Sequence, residues 1–241
     1  MSSSDTDLHK LLKVLFQAHP WHGISPIDPN GPSGGYNSYI EIVPTDAVKY
    51  ELDKPSGHLR LDRPQKYSST CPSLYGFIPQ TYCAERVAAR CAERTGVQHI
   101  KGDEDPLDIC VLTEKPFAHG NFITRVKPIG GFRMIDGLES DDKIIAVLES
   151  DLYYGQLQDL ADCPQGIVDR LQHYFLAYKQ SPNKATFAVR IAEIYGRAEA
   201  VEVIERSIQD YRTHFGSPED RIAELRRLIH SPAEPFSASS P

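Results

Sequence analysis

At 241 residues the chain is long enough to bury one sizeable core with appendages, and 40% hydrophobic against 24% charged residues is an ordinary globular balance. A formal net charge of −7 argues against nucleic acid as the main partner, because binding a polyanion needs a basic face. No apolar run approaches the length of a membrane span, and five scattered cysteines without a CxxC pair suggest a reducing cytoplasm and packing roles rather than a disulfide framework.

Residues 1–36 read as an N-terminal extension. It has a serine-rich start, a short amphipathic segment around Leu8–Phe16 that Lys13 breaks too early for a signal sequence, and a loop rich in Pro and Gly ending at Gly34-Gly35. From Tyr39 the hydrophobic period becomes two: Ile40 and Ile42 oppose Tyr39, Glu41 and Val43, and Val48, Tyr50 and Leu52 oppose Lys49 and Glu51. Asp53-Lys54-Pro55-Ser56-Gly57 is turn chemistry, and Leu59, Leu61 and Arg63 share one face of the next strand. Residues 81–101 are polar and read as an insertion, with a short surface helix over Val87–Arg94. Further strands are expected over Ile109–Thr113, Asn121–Met134 (broken at Gly130-Gly131), Lys143–Leu148 and Phe187–Tyr195, with a helix over Ile167–Lys179.

Arg197–His214 carries a helical stripe that Gly216 stops, and Ser217-Pro218-Glu219-Asp220 opens a second helix as N-cap, N1 proline and acidic first turn. The tail 231–241, rich in Ser, Pro and Ala, is expected to be disordered. The division is therefore an extension over 1–36, a domain over 37–196 with its insertion, C-terminal helices over 197–230, and the tail. Many short strands with interspersed helices make the fold class α+β, mainly β: a small closed barrel with helices packed outside.

The most informative segment is Gly102-Asp103-Glu104-Asp105-Pro106-Leu107-Asp108-Ile109-Cys110. Pro106 disfavours helix, so three aspartates crowd a tight loop that feeds a buried strand. Crowded carboxylates raise one another's pKa unless a cation compensates them, and hard divalent ions take oxygen ligands; the reading is a Mg2+ site. An EF-hand loop would place Glu114 at its twelfth position, but it requires Asp or Asn and then Gly where Leu107 and Asp108 stand, so it fails.

Two further clusters have matching character. Asp136-Gly137-Leu138-Glu139-Ser140-Asp141-Asp142-Lys143 joins two strands, so its carboxylates can meet the first group at one mouth of a barrel. Lys49, Arg63, Tyr178 and Lys179 supply cations and phenols, and Arg63 falls on an otherwise apolar face, an awkward place unless an anion waits there. Carboxylates for metals beside lysine, arginine and tyrosine for oxyanions make a phosphate site.

Here the chain resembles the family I soluble inorganic pyrophosphatases, closest to a longer bacterial form. Asp103-Glu104-Asp105-Pro106-Leu107-Asp108 is similar to that family's aspartate signature, and Ile40–Pro44, Lys49–Lys54, Leu61-Asp62-Arg63, Leu74–Pro79, Asp136…Asp141…Lys143 and Tyr178-Lys179 resemble its other motifs in order, from about Tyr39 to Tyr195. The resemblance implies a five-stranded OB-like barrel and Mg2+-dependent hydrolysis of pyrophosphate to two orthophosphates, with several Mg2+ ions per site and Mn2+ an open substitute. Asp103, Asp108 and Asp141 would hold two activating ions, and Asp136 with Asp141 one that arrives with substrate; Glu41 and Glu51 would act near them through water. Asp105 would be the general base, Lys49, Arg63, Lys143, Tyr178 and Lys179 would grip phosphate, and Tyr75 would line the site. It also implies a homo-oligomer. Glu104 departs from the pattern, standing where a smaller residue is usual, and the segment 183–187 lacks a tryptophan often found there, which leaves Lys184 out of the site. The rival readings are a Mg2+-dependent hydrolase of an organic phosphate and a non-enzymatic OB-like binding module.

Overall fold

The computed structural model describes residues 18–27, 35–66, 68–179 and 189–230. The amphipathic segment at Leu8–Phe16, the stretch 183–187 and the tail lie outside them. Five strands close a ring. β1 (Tyr36–Ile42) pairs antiparallel with β4 (Leu74–Phe77), β4 antiparallel with β6 (Asp108–Leu112), β6 parallel with β9 (Lys143–Leu148), and β9 antiparallel with β7 (Phe122–Asp136); β7 returns to β1. This is the OB-like barrel. Between these in sequence lie β2 (Val48–Leu52) and β3 (Leu59–Pro64), which form a separate two-stranded sheet, and the short β5 (Lys101–Gly102) and β8 (Glu139–Ser140), which pair with each other. β10 (Val189–Gly196) pairs with the far half of β7.

The helices are α1 (Glu85–Thr95), α2 (Gln165–Ala177), α3 (Arg197–Phe215) and α4 (Pro218–His230). Strands β6 and β9 are covered on both faces, which explains their unbroken apolar runs. Ile109, Val111, Ile144 and Ala146 pack with Ala200, Val203 and Ile204 of α3 in one core, while Cys110, Leu112, Ile145 and Val147 pack with Val168, Leu171 and Phe175 of α2 in the other.

β7 runs unbroken where a break at Gly130-Gly131 was expected. A bulge between Pro128 and Gly130 reverses its side-chain phase, so Val126 faces the first core and Phe132 and Met134 the second. The glycines permit a close approach: a Cβ on Gly131 would stand 2.5 Å from the Tyr195 ring. β4, quoted in sequence only as a motif, is a ring strand.

Nor is α1 a mere surface helix. Val87, Ala88 and Cys91 are buried, and α1 packs against α3. Its own N-cap residue, Ala84, has no capping side chain. The cap comes from α3 instead: buried Asp210 accepts from the backbone N–H groups of Ala84 (3.1 Å), Arg86 (3.0 Å) and Val87 (3.2 Å) and from the Arg86 guanidinium. A carboxylate there also suits the positive helix end. The C-terminal helix α3 is thus bound into the body of the protein. Asp210→Ala should lower unfolding stability by about 2–4 kcal/mol, because it strands several buried donors at once; denaturant titration giving a loss well under 1 kcal/mol would contradict the capping role.

Candidate active site

Each acidic cluster sits where strand geometry puts it. Asp108 opens β6 and Lys143 opens β9, and the parallel register sets these two residues side by side. Asp136 ends β7, and a tight turn at Gly137 returns the chain through Glu139 to Asp141. Asp103 and Asp105 occupy the loop before β6, where the Asp103 carboxylate accepts the Asp105 N–H at 3.1 Å and Cys83 N–H donates to the Asp105 carbonyl at 2.9 Å. Glu104 takes a left-handed φ of 60° between them.

Around these lies a cleft of about 340 Å³. Of the residues expected in the site, Asp103, Asp105, Asp108, Asp136, Asp141, Glu41, Glu51, Lys49, Tyr75, Lys143, Tyr178 and Lys179 all line it. Arg63 does not; it sits opposite Lys49 across the β2–β3 hairpin, beside Asp62 at 3.5 Å. Its expected apolar face is not one, since Leu61 is exposed, yet its Nη1 is buried with no hydrogen-bond partner among the described residues. Two charged lining residues, Lys54 and Glu139, were given no role in the sequence reading. Lys54 pairs with Asp105 from the turn at the hairpin tip; it ends the Lys49–Lys54 motif but was assigned no role there. Glu139 was counted among the carboxylates of its cluster but given no role.

The electrostatics show what the crowding does. Lys143 Nζ bridges Asp108 and Asp141, and Lys179 Nζ donates to Asp136 at 2.7 Å and lies 3.9 Å from Asp141. Burial and then the Asp141 charge drive the Asp103 carboxyl far up, and burial also raises Asp108. Burial works on Asp141 as well, but the Lys143 ammonium outweighs it and holds this carboxyl low. The two neighbouring carboxyls are thus pushed in opposite directions, Asp103 up and Asp141 down. Lys143 is itself raised, since its carboxylate neighbours overcome the cost of burial.

Two ammonium groups, Lys143 and Lys179, therefore offset only part of the charge of a crowded group of oxygen donors. Such a donor set fits hard divalent cations, which would relieve the repulsion. Among the described residues no three acidic, His or Cys side chains converge as ligands of one ion; Lys143 stands between Asp108 and Asp141 instead.

Glu41 occupies the bulge of β1, between Ile40 and Ile42, and its Oε1 accepts the Leu52 N–H at 2.6 Å. The matching family model is that of inorganic pyrophosphatase and covers residues 38–212. This chain belongs to the inorganic pyrophosphatase family. The matched range runs beyond Tyr195 through most of α3, in keeping with the packing of that helix. The chain is 51% identical over 201 residues to an inorganic pyrophosphatase of Chlamydia caviae, covering 82% of this chain and 92% of that one. With soluble inorganic pyrophosphatase 1 of Arabidopsis thaliana it shares 34% identity over 208 residues, 86% of this chain and 87% of that one. A crystal structure of inorganic pyrophosphatase from Thermus thermophilus matches at a TM-score of 0.66 and 29% identity, over 81% of this chain and 99% of that one.

Burial pushes the Glu41 carboxyl up to about 8, against the opposing Leu52 hydrogen bond. A carboxyl raised on folding contributes stability that is complete below its ordinary value of 4.5 and is lost as pH rises to about 8. In chelator, the melting temperature of the protein should therefore fall relative to Glu41→Gln between about pH 5 and about pH 8. A gap that stays constant across this range would contradict a protonated Glu41.

Proposed function

We propose that the chain hydrolyses inorganic pyrophosphate to two orthophosphates at this cleft with Mg2+ as its activating ion. Family membership makes it a metal-dependent inorganic diphosphatase; the identity of the metal and the residue roles are our reading. The observation that carries them is the meeting of three acidic strand ends with Lys49, Lys143, Lys179 and two tyrosines in one cleft.

Asp103, Asp108, Asp136 and Asp141 would hold the ions, with Glu41 and Glu51 assisting through water; Mn2+ has the same oxygen preference. Bound divalent ions supply positive charge against the anhydride and make water a better acid. Pyrophosphate needs neutralisation and orientation more than covalent chemistry. Lys49, Arg63, Lys143 and Lys179 offer ammonium and guanidinium donors to its oxygens, and Tyr75 and Tyr178 offer hydroxyls. Arg63, with a buried Nη1 that has no partner among the described residues, is suited to an incoming oxyanion. Asp105 lies in the loop between Asp103 and Asp108 and would accept the proton of the attacking water. Water attacks one phosphorus, the bridging P–O bond breaks, and the cations take up the charge of the leaving phosphate.

We further assign the protein to the cytoplasm and to a homo-oligomeric state. All five cysteines are buried and unpaired, as a reducing compartment allows, and no helix among the described residues is long and apolar enough to cross a membrane.

Phosphate release from pyrophosphate should require Mg2+, stop in excess chelator, and far exceed release from ATP. Equal turnover of ATP would favour an organic-phosphate hydrolase. Within the signature loop, Asp105→Asn should lower kcat on the order of 10² or more while keeping Mg2+ affinity. Asp108→Asn should weaken Mg2+ binding, so that higher Mg2+ restores part of the rate. Rescue of Asp105→Asn by Mg2+, with none for Asp108→Asn, would reverse the assignment.

A further inference from the structure

The β2–β3 hairpin has no ladder to the barrel, yet it brings Lys49, Glu51 and Lys54 to the cleft and carries Arg63 beside them. A lone two-stranded hairpin is marginal in water, so its placement depends on contacts from outside. Two such contacts are made by site residues themselves: Glu41 accepts the Leu52 N–H, and Lys54 pairs with Asp105. A third comes from the N-terminal segment and involves no residue given a role in the proposed chemistry.

That segment is a tight turn. His19 Nδ1 accepts the backbone N–H groups of Trp21 (3.2 Å) and His22 (3.3 Å), which leaves the proton on Nε2. Nε2–H then donates to the Lys54 carbonyl at 2.9 Å, at the tip of the hairpin. Gly57, on the other side of that tip, lies flat against the imidazole: with φ of 71° and a Cβ that would stand 2.7 Å from His19 Cδ2, no side chain fits there. Trp21 fixes the turn to the body. It is 3% exposed, packs with Tyr39, Phe77 and Tyr211, and donates Nε1–H to the Thr81 carbonyl at 2.8 Å. Leu52 and Leu59 of the hairpin pack into the same aromatic cluster. Thr81 in turn accepts the Leu107 N–H at 2.9 Å, within the aspartate signature. One aromatic cluster thus touches both the hairpin and the segment that supports the acidic loop.

We infer that the His19–Trp21 turn is a positioning strap for the hairpin: Trp21 anchors it, and His19 holds the tip through the Lys54 carbonyl, which sets Lys49 and Lys54 at the cleft and Arg63 behind Lys49 on the neighbouring strand. The inference rests on the proposed reading of Lys49 and Arg63 as phosphate-gripping residues. It assigns His19 and Trp21 a positioning role, since neither lines the cleft.

The two functions of His19 can be separated. Asn places an acceptor at the Nδ1 position and keeps the turn, but cannot reach Lys54. Gln places a donor near the Nε2 position and keeps the link. In the full-length Mg2+-loaded protein, His19→Asn should raise KM for pyrophosphate about five- to tenfold, the worth of one hydrogen bond, with kcat within about twofold. Hydrogen exchange over residues 48–64, measured without substrate, should quicken in this variant, and His19→Gln should return both readouts toward wild type. Wild-type KM and exchange in His19→Asn would overturn the strap. So would equal losses in both variants, or a fall in kcat that tracks the melting temperature, because these mark a general folding defect. If the wild-type protein does not hydrolyse pyrophosphate, the proposed function falls, and the exchange contrast between Asn and Gln still decides the strap.

Discussion

Negative charge at the strand ends is the constraint around which the remaining structure is arranged. Asp103, Asp108 and Asp141 approach one another in a mouth that water only partly reaches, where mutual repulsion is poorly screened and no carboxylate can be left uncompensated. The fold meets this with cations delivered by register. β6 and β9 are parallel, so Asp108 and Lys143 are neighbours by construction, and the end of α2 brings Lys179 to Asp136. Divalent cations among these carboxylates would relieve the repulsion that remains. The same ammonium groups are then free to face an anionic substrate.

A second charge network, centred on a fully buried arginine, stands behind the first. Arg133 on β7 has no exposed surface and contacts Glu193 on β10 and Glu199 on α3, with Asp142 at 3.6 Å and the Tyr195 ring beneath its guanidinium at 5.0 Å. Arg90 and Arg94 of α1 close the outer side onto the two glutamates. Three cations and three anions balance, and four elements are bound together immediately next to Asp141. Such a network gains little net stability over an apolar core, but losing one member leaves a buried charge without a partner. It does fix where the β8–β9 connection can lie.

How much of this was legible in the sequence depended on whether the determinant was local. The aspartate loop was, because Pro106 and three nearby carboxylates constrain chemistry and conformation together. The strands β1, β2, β3, β6 and β9 were, because period two and apolar runs are local patterns. The unbroken course of β7 was not: Gly130-Gly131 reads equally as a break or as a close approach, and only the Tyr195 ring distinguishes them. The role of α3 was hidden for a similar reason, since Asp210 caps a helix that begins well over a hundred residues earlier. Lys54 was missed because its partner, Asp105, comes from another part of the chain. Arg63 was noticed for an apolar setting it does not have.

Closure of the ring has a kinetic meaning. Tyr36 must find Val126, and Asp108 must find Lys143, before either barrel seam exists. Pairings so distant along the chain pay loop-closure entropy before contacts return it, so topologies of this kind fold slowly compared with helical bundles. An emerging chain that already contains the whole aspartate signature still lacks β7, β9 and α2, and so has no mouth for the carboxylates to surround. The acidic mouth therefore exists only where β6, β7 and β9 have met, and a ligand that recognises it favours the completed barrel over any part of it.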